Sequence, residues 1–172
     1  KTIQRYFMTP RFRIYTNSDV IGVEVGSALK NVIAIAAGIC DGLKYGDNTK
    51  AALMTRGLAE MRRLGIKMGA DEKTFSGLAG MGDLIVTCNS RFSRNRKVGM
   101  LLGHGRRLDD ILKEMTQVAE GVINTKSALA LGKRYDVELP ITNAVAAVLF
   151  KNMDPAQIGQ MLMTRSAKHE FY

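Results

Sequence analysis

Residues 20–40, VIGVEVGSALKNVIAIAAGIC, limit what this chain can fold into more than any other stretch. They read as one long helix whose apolar residues spread over most of its faces, leaving little surface for water. Its longest unbroken apolar run, residues 32–40, is too short to span a bilayer, and Lys30 and Asp41 flank it. No membrane span is therefore expected. Near its middle stand Lys30 and Asn31, where a core helix ordinarily carries Leu or Ala.

The neighbours of Lys30 on a helix are small: Gly26 and Ser27 before it, Ala34, Ala37 and Gly38 after it. Only Ile33 is bulky on that face. A ligand or a second backbone can come close there. Lys30 lies about ten residues, roughly 15 Å, from either end, too far for its stem to reach water beyond the helix. A lysine on a solvated stripe is the ordinary reading, and the spread of apolar residues weakens it here. An amine held partly out of water is fitted to trade protons. Asn31 beside it can orient a hydroxyl or carbonyl, or bond a neighbouring backbone group.

The rest of the chain reads as helices too. With 172 residues it suits one well-packed domain, and a composition rich in Ala, Leu, Gly and Met with no Trp favours helix over a β-sandwich. After a Gly/Asp/Asn loop at 41–48, helical spacing returns with Asp47 or Asn48 as cap and Gly69 near the stop. Asp71 caps a short helix. Further helices are predicted at about 93–102, 108–115, 120–134, 141–150 and 155–163. Residues 11–16, RFRIYT, alternate basic and apolar as a short strand does, and a lone strand cannot satisfy its edges. The expectation is an all-α domain with one strand at its front left over from a missing sheet, cut from a larger protein.

The charge is strongly basic, with 25 Lys and Arg against 16 Asp and Glu, a net +9. That balance suits a solvated basic surface or an anionic partner: a phosphate ester, a nucleotide or nucleic acid. Cys40 and Cys88 match no metal spacing, and His104 and His169 lack acidic or thiol companions. No metal site is expected. Two scattered thiols and no secretory signal fit a reduced, cytoplasmic protein.

Two further stretches carry chemistry. In GLAGMGDL, three glycines lead to Asp83, an acid presented on a tight turn that can pair with Lys30, accept a substrate hydroxyl or simply cap. In SRFSRNRK, residues 90–97, Ser93 can cap a helix beginning at Arg94, leaving N–H groups free. Arg94 and Arg96 add bidentate donors and Asn95 an amide, a natural seat for a phosphate. The cluster lacks interleaved aromatics beyond Phe92, so a compact phosphate ester fits better than nucleic acid. Glu120 in QVAEGV stands at a helix start, where an acid is favourable for dipole reasons alone.

Taken in order, DVIGVEVGSALKNVIAIAAGICDGL, GDNTKAALMTRGLAEMRRLG, TFSGLAGMGDLIVTC, SRNRKVG and VAEGV resemble the C-terminal domain of bacterial NAD(P)-dependent glycerol-3-phosphate dehydrogenases over residues 10–165. The resemblance implies a helical domain like the C-terminal part of 6-phosphogluconate dehydrogenase, following a Rossmann domain. Residues 1–17 would be the remnant of that NAD(P)-binding domain and 18–172 the substrate domain. It implies hydride transfer between NAD or NADP and the C2 carbon of dihydroxyacetone phosphate, supplying glycerol phosphate for phospholipid synthesis. Lys30 matches the family's proton-transferring lysine. Asp83, Ser93, Arg94 and Asn95 match substrate-binding positions; Arg94, Val118 and Glu120 match positions that touch the cofactor. Thr87 and Asn31 are weaker matches. Ser27 departs from the family's usual second glycine, and no G-x-G-x-x-G occurs. By itself the chain is expected to bind NAD(P) poorly and to be inactive. Its partner is a small phosphorylated substrate rather than nucleic acid, with a homodimer as one assembly. The competing expectation is a helical module that binds polyanions through its charge.

Overall fold

A computed structural model describes residues 2–167 and 169; Lys1, Lys168 and 170–172, which the expected spans 1–17 and 18–172 include, lie outside the described residues. Among the described residues ten helices run in order: α1 (Thr2–Phe7), α2 (Val20–Gly42), α3 (Asp47–Lys67), α4 (Glu72–Ser76), α5 (Asp83–Asn89), α6 (Arg94–Gly103), α7 (Leu108–Glu114), α8 (Glu120–Arg134), α9 (Pro140–Lys151) and α10 (Pro155–Met163). A π-helical turn, Leu78–Gly82, feeds directly into α5.

Helix α2 is the axis of the fold. Helices α3, α5, α6, α8 and α9 pack around it, and Val32, Ile33, Ala34, Ile35 and Ala37 are sealed from solvent. Each buried Val or Ile side chain contributes roughly 1.5–3 kcal/mol, so this one helix carries much of the core. By length and composition α2 is apolar enough to cross a membrane; here most of its apolar surface is buried by its own neighbours. The start of α2 is pinned by Asp19, whose carboxylate accepts from Gly22 N at 2.9 Å, Asp71 N at 2.9 Å and Thr74 Oγ1 at 2.7 Å. These donors, Gly22 foremost, hold the Asp19 carboxyl below its ordinary range. One side chain thereby fixes α4 against α2.

The α2–α6 crossing needs glycine. A Cβ on Gly38 would lie 2.0 Å from the Arg96 carbonyl oxygen, and one on Gly99 would lie 1.9 Å from that of Ile35. Any side chain would push the two backbones apart. Glu60 of α3 is buried and accepts from Ile141 N at 2.5 Å, Thr142 N at 3.2 Å and Thr142 Oγ1 at 3.1 Å. It closes the open N-terminus of α9, as a capping carboxylate does.

Two expectations are corrected. Residues 11–16 form no strand: Thr9 and Phe12 make one isolated bridge, and the chain from 13 to 17 runs without ladder partners. A strand needs a neighbour to satisfy its N–H and C=O groups, and no described residue supplies one. The segment 78–89 is helical rather than a turn. The glycines that suggested a break allow close packing instead; a Cβ on Gly80 would lie 2.3 Å from the Phe75 carbonyl oxygen. Asp83 is consequently the first residue of a helix.

Candidate active site

The π-turn seats α5 directly against α2, because Gly26 offers the Ala79 carbonyl no side chain to displace it. That approach brings two residues 53 positions apart together: Lys30 Nζ donates to Asp83 Oδ2. The side chains are 18% and 34% exposed, so the pair is half-withdrawn but reachable from solvent. Thr87, one turn along α5, donates its hydroxyl to the Asp83 carbonyl at 2.6 Å and lies 3.3 Å from Oδ1. An ammonium has three N–H groups and Asp83 takes one, so Lys30 keeps donors for a ligand.

Next to this pair the N-termini of α6 and α8 converge. Ser93 caps α6, its Oγ accepting from Arg96 N at 3.3 Å. Asn95, buried, joins three helices: its Nδ2 donates to Asn31 Oδ1 at 2.9 Å and its Oδ1 accepts from Gly121 N at 2.9 Å. Asn31 in turn donates to the Ser27 carbonyl at 3.1 Å. The two amides therefore fix the α2–α6–α8 junction, and Asn95 is held more firmly than a purely ligand-facing side chain. Arg94 stands exposed and is paired with no acid among the described residues. Two helix N-termini and an unpaired guanidinium make the local field attractive to an anion.

These groups border a cleft of about 330 Å³. Of the residues singled out from sequence, Lys30, Asn31, Thr87, Ser93, Arg94, Asn95 and Glu120 line it, and Asp83 meets it through its bond to Lys30. Val118 does not line it; it is exposed on the connection before α8. Arg96 also differs from expectation. Its Nε is taken by Asp41 at 2.6 Å, so it serves the framework, as the α2–α6 contact at Gly38 turns it toward the end of α2. Sequence reasoning missed Val86, Ser90 and Phe92 as lining residues. Phe92, 80% exposed with Arg91 stacked 4.8 Å from its ring, was legible as an aromatic stranded in a polar loop. Cys88, beside Thr87, and Cys40 are buried free thiols; burial pushes them up to about 12 and about 11, so neither is a ready nucleophile.

Chemically, the cleft can hold a phosphate at the helix N-termini while an amine, oriented by a carboxylate, meets a hydroxyl or carbonyl a short distance away.

Residues 19–160 match the family model described as the C-terminus of NAD-dependent glycerol-3-phosphate dehydrogenase. A glycerol-3-phosphate dehydrogenase (NAD(P)+) of Geobacter sulfurreducens is 60% identical over 168 residues, 98% of this chain and 50% of that protein. That of Bacillus subtilis is 58% identical over 168 residues, covering 98% and 49%. Among solved structures, glycerol-3-phosphate dehydrogenase from Coxiella burnetii superposes with a TM-score of 0.91 at 43% identity, covering 95% of this chain and 50% of that one. The yeast glycerol-3-phosphate dehydrogenase does so with 0.83 at 31% identity, covering 93% and 47%. The chain spans about half the length of the relatives it matches.

Proposed function

The chain belongs to the NAD-dependent glycerol-3-phosphate dehydrogenase family, matching its C-terminal region, and we propose that it supplies the substrate-holding and proton-transferring half of that enzyme. The observation that carries this reading is the Lys30–Asp83 pair opening on the same cleft as the N-termini of α6 and α8. The substrate is dihydroxyacetone phosphate, reduced reversibly to sn-glycerol 3-phosphate. The polyanion-binding alternative draws no support from the relatives, which are named as dehydrogenases.

The phosphate sits at the start of α6, where the backbone N–H groups of Arg94 and Asn95 precede the capped one and the Arg94 guanidinium can close over it. That anchor fixes the three-carbon chain, so the C2 oxygen comes to Lys30. As charge develops on that oxygen, Lys30 donates a proton to it, and in the reverse direction the neutral amine accepts the hydroxyl proton. Asp83 holds the amine in place and can accept from a substrate hydroxyl.

A nicotinamide dinucleotide suits the open side of the cleft by the chemistry of its donors: exposed Arg94 to meet a phosphate, Glu120 to accept from an amide or ribose, and exposed Val118 as an apolar contact. When bound, it supplies or takes the hydride at C2. Residues 2–17 leave Ile3, Tyr6, Phe7, Phe12 and Tyr15 exposed, which supports their belonging with a dinucleotide-binding domain.

In the whole gene product, Lys30→Ala should lower kcat by roughly 10²–10⁴-fold, the usual worth of a positioned acid–base group, with helical circular dichroism unchanged. Near-normal turnover would remove Lys30 from the chemistry.

A further inference from the structure

The SRNR motif contains an arginine that the proposed reaction does not use. Arg96 turns from the cleft and bonds Asp41 Oδ2 through Nε at 2.6 Å, while its Nη1 reaches the Ser90 carbonyl at 3.5 Å. Lys50, from α3, donates to both Asp41 oxygens at 3.0 and 3.1 Å. All three side chains are largely withdrawn from water, at 12% for Lys50, 20% for Asp41 and 24% for Arg96.

For stability alone this cluster is a poor choice. Asp41 is in the last turn of a 23-residue helix, where its charge opposes the dipole. Partial burial of three charges also carries a desolvation cost that their attraction only partly offsets. What the cluster provides is geometry. The Ser90 carbonyl also accepts from Ser93 N at 3.1 Å, so the Arg96 strap ends on the turn that presents Phe92, Ser93 and Arg94 to the cleft. The Arg96 backbone lies against Gly38 of α2, and its side chain reaches Asp41 of the same helix. Main chain and side chain together tie the anion seat to the helix that carries Lys30.

We propose that Asp41 is a positioning residue for the phosphate seat. By holding Arg96 it sets the turn 90–94 at a fixed distance from Lys30, and Lys50 holds Asp41 in the orientation this requires. The proposal rests on the dehydrogenase reading above. It assigns Asp41 no contact with substrate; its effect passes through Arg96 and Ser90, and it falls on the phosphate rather than on the proton transfer.

The test is steady-state kinetics of the whole gene product and its Asp41→Asn variant, with dihydroxyacetone phosphate and with dihydroxyacetone. Asp41→Asn keeps the side chain's size and removes the charge that draws Arg96. Its kcat/KM for the phosphorylated substrate should fall about ten- to hundredfold, the scale of a small misplacement, chiefly through KM. Its kcat/KM for dihydroxyacetone should change less than about threefold, since no phosphate is there to be misplaced. Asp41→Glu should recover part of the loss. Equal losses on both substrates, or no loss on either, overturn the assignment. If Asp41→Asn does not fold, Arg96→Lys keeps the charge beside Asp41, loses the reach to Ser90 and carries the same expectation. An unaltered protein that turns over neither substrate overturns the dehydrogenase reading and this proposal with it. A failure of Asp41 alone instead shows as normal turnover without the split between substrates.

Discussion

Two carboxylates, on two helices that both pack against α2, are used in contrasting ways. Asp83, on the α5 side, is one-third exposed, bonds one amine and leaves that amine with donors to spare. Glu60, on the α3 side, is 2% exposed and receives three donors from α9. Glu60 is the more completely hydrogen-bonded, and for that reason nothing else can bind to it. The contrast separates a group that maintains the fold from one that can act: spare hydrogen-bonding capacity on an open cleft, rather than burial or charge, marks the site.

The difference can be broken most forcefully at Glu60. Glu60→Ala leaves the Ile141 and Thr142 donors buried without their acceptor and should lower unfolding stability by about 2–4 kcal/mol, measured by denaturant titration. Turnover per folded molecule should be unchanged. A variant that unfolds normally but loses turnover would place Glu60 on the functional side of the comparison.

A smaller effect follows from its titration. Burial pushes the Glu60 carboxyl up from an ordinary 4.5 to about 7, against the opposing pull of the Ile141 and Thr142 donors and of Arg63. Folded Glu60 therefore holds its proton where the unfolded chain has released it. Its contribution to stability is complete below about pH 4.5 and is lost as pH rises through about 7. The loss should be a few kcal/mol at most, at about 1.36 kcal/mol per pH unit. Glu60→Gln should flatten that slope; an unchanged slope would assign it to other groups.

The smallest expected change is the one that sharpens the contrast. Lys30→Ala, which should cost turnover heavily, should alter unfolding stability by less than about 1 kcal/mol, because its pair with Asp83 is partly solvated. A larger loss would make the pair structural.

Much of this was legible locally. Ser93 and Asp71 marked their helix starts, and each side chain does accept from the first turn. The small-residue face around Lys30 foretold a close approach, and Gly26 provides it. What the sequence hid depends on distant partners. Glu60 looks like any exposed helix acid beside Arg62 and Arg63; its acceptor role arises 81 residues later, at Ile141. Arg96 looks as free as Arg94 until Asp41, 55 residues earlier, takes its Nε. The glycines at 77, 80 and 82 signalled a break, and the chain does break at extended Gly77, but Gly80 and Gly82 belong to the π-turn that runs straight into α5. The alternation in RFRIYT is a strand pattern that finds no partner among the described residues.

The most direct test is a crystal structure of the whole gene product with sn-glycerol 3-phosphate bound. The account predicts the phosphate at the N-terminus of α6 beside Arg94, with the C2 hydroxyl at hydrogen-bond distance, about 3 Å, from Lys30 Nζ. A phosphate seated elsewhere, or a C2 hydroxyl turned away from Lys30, would contradict it.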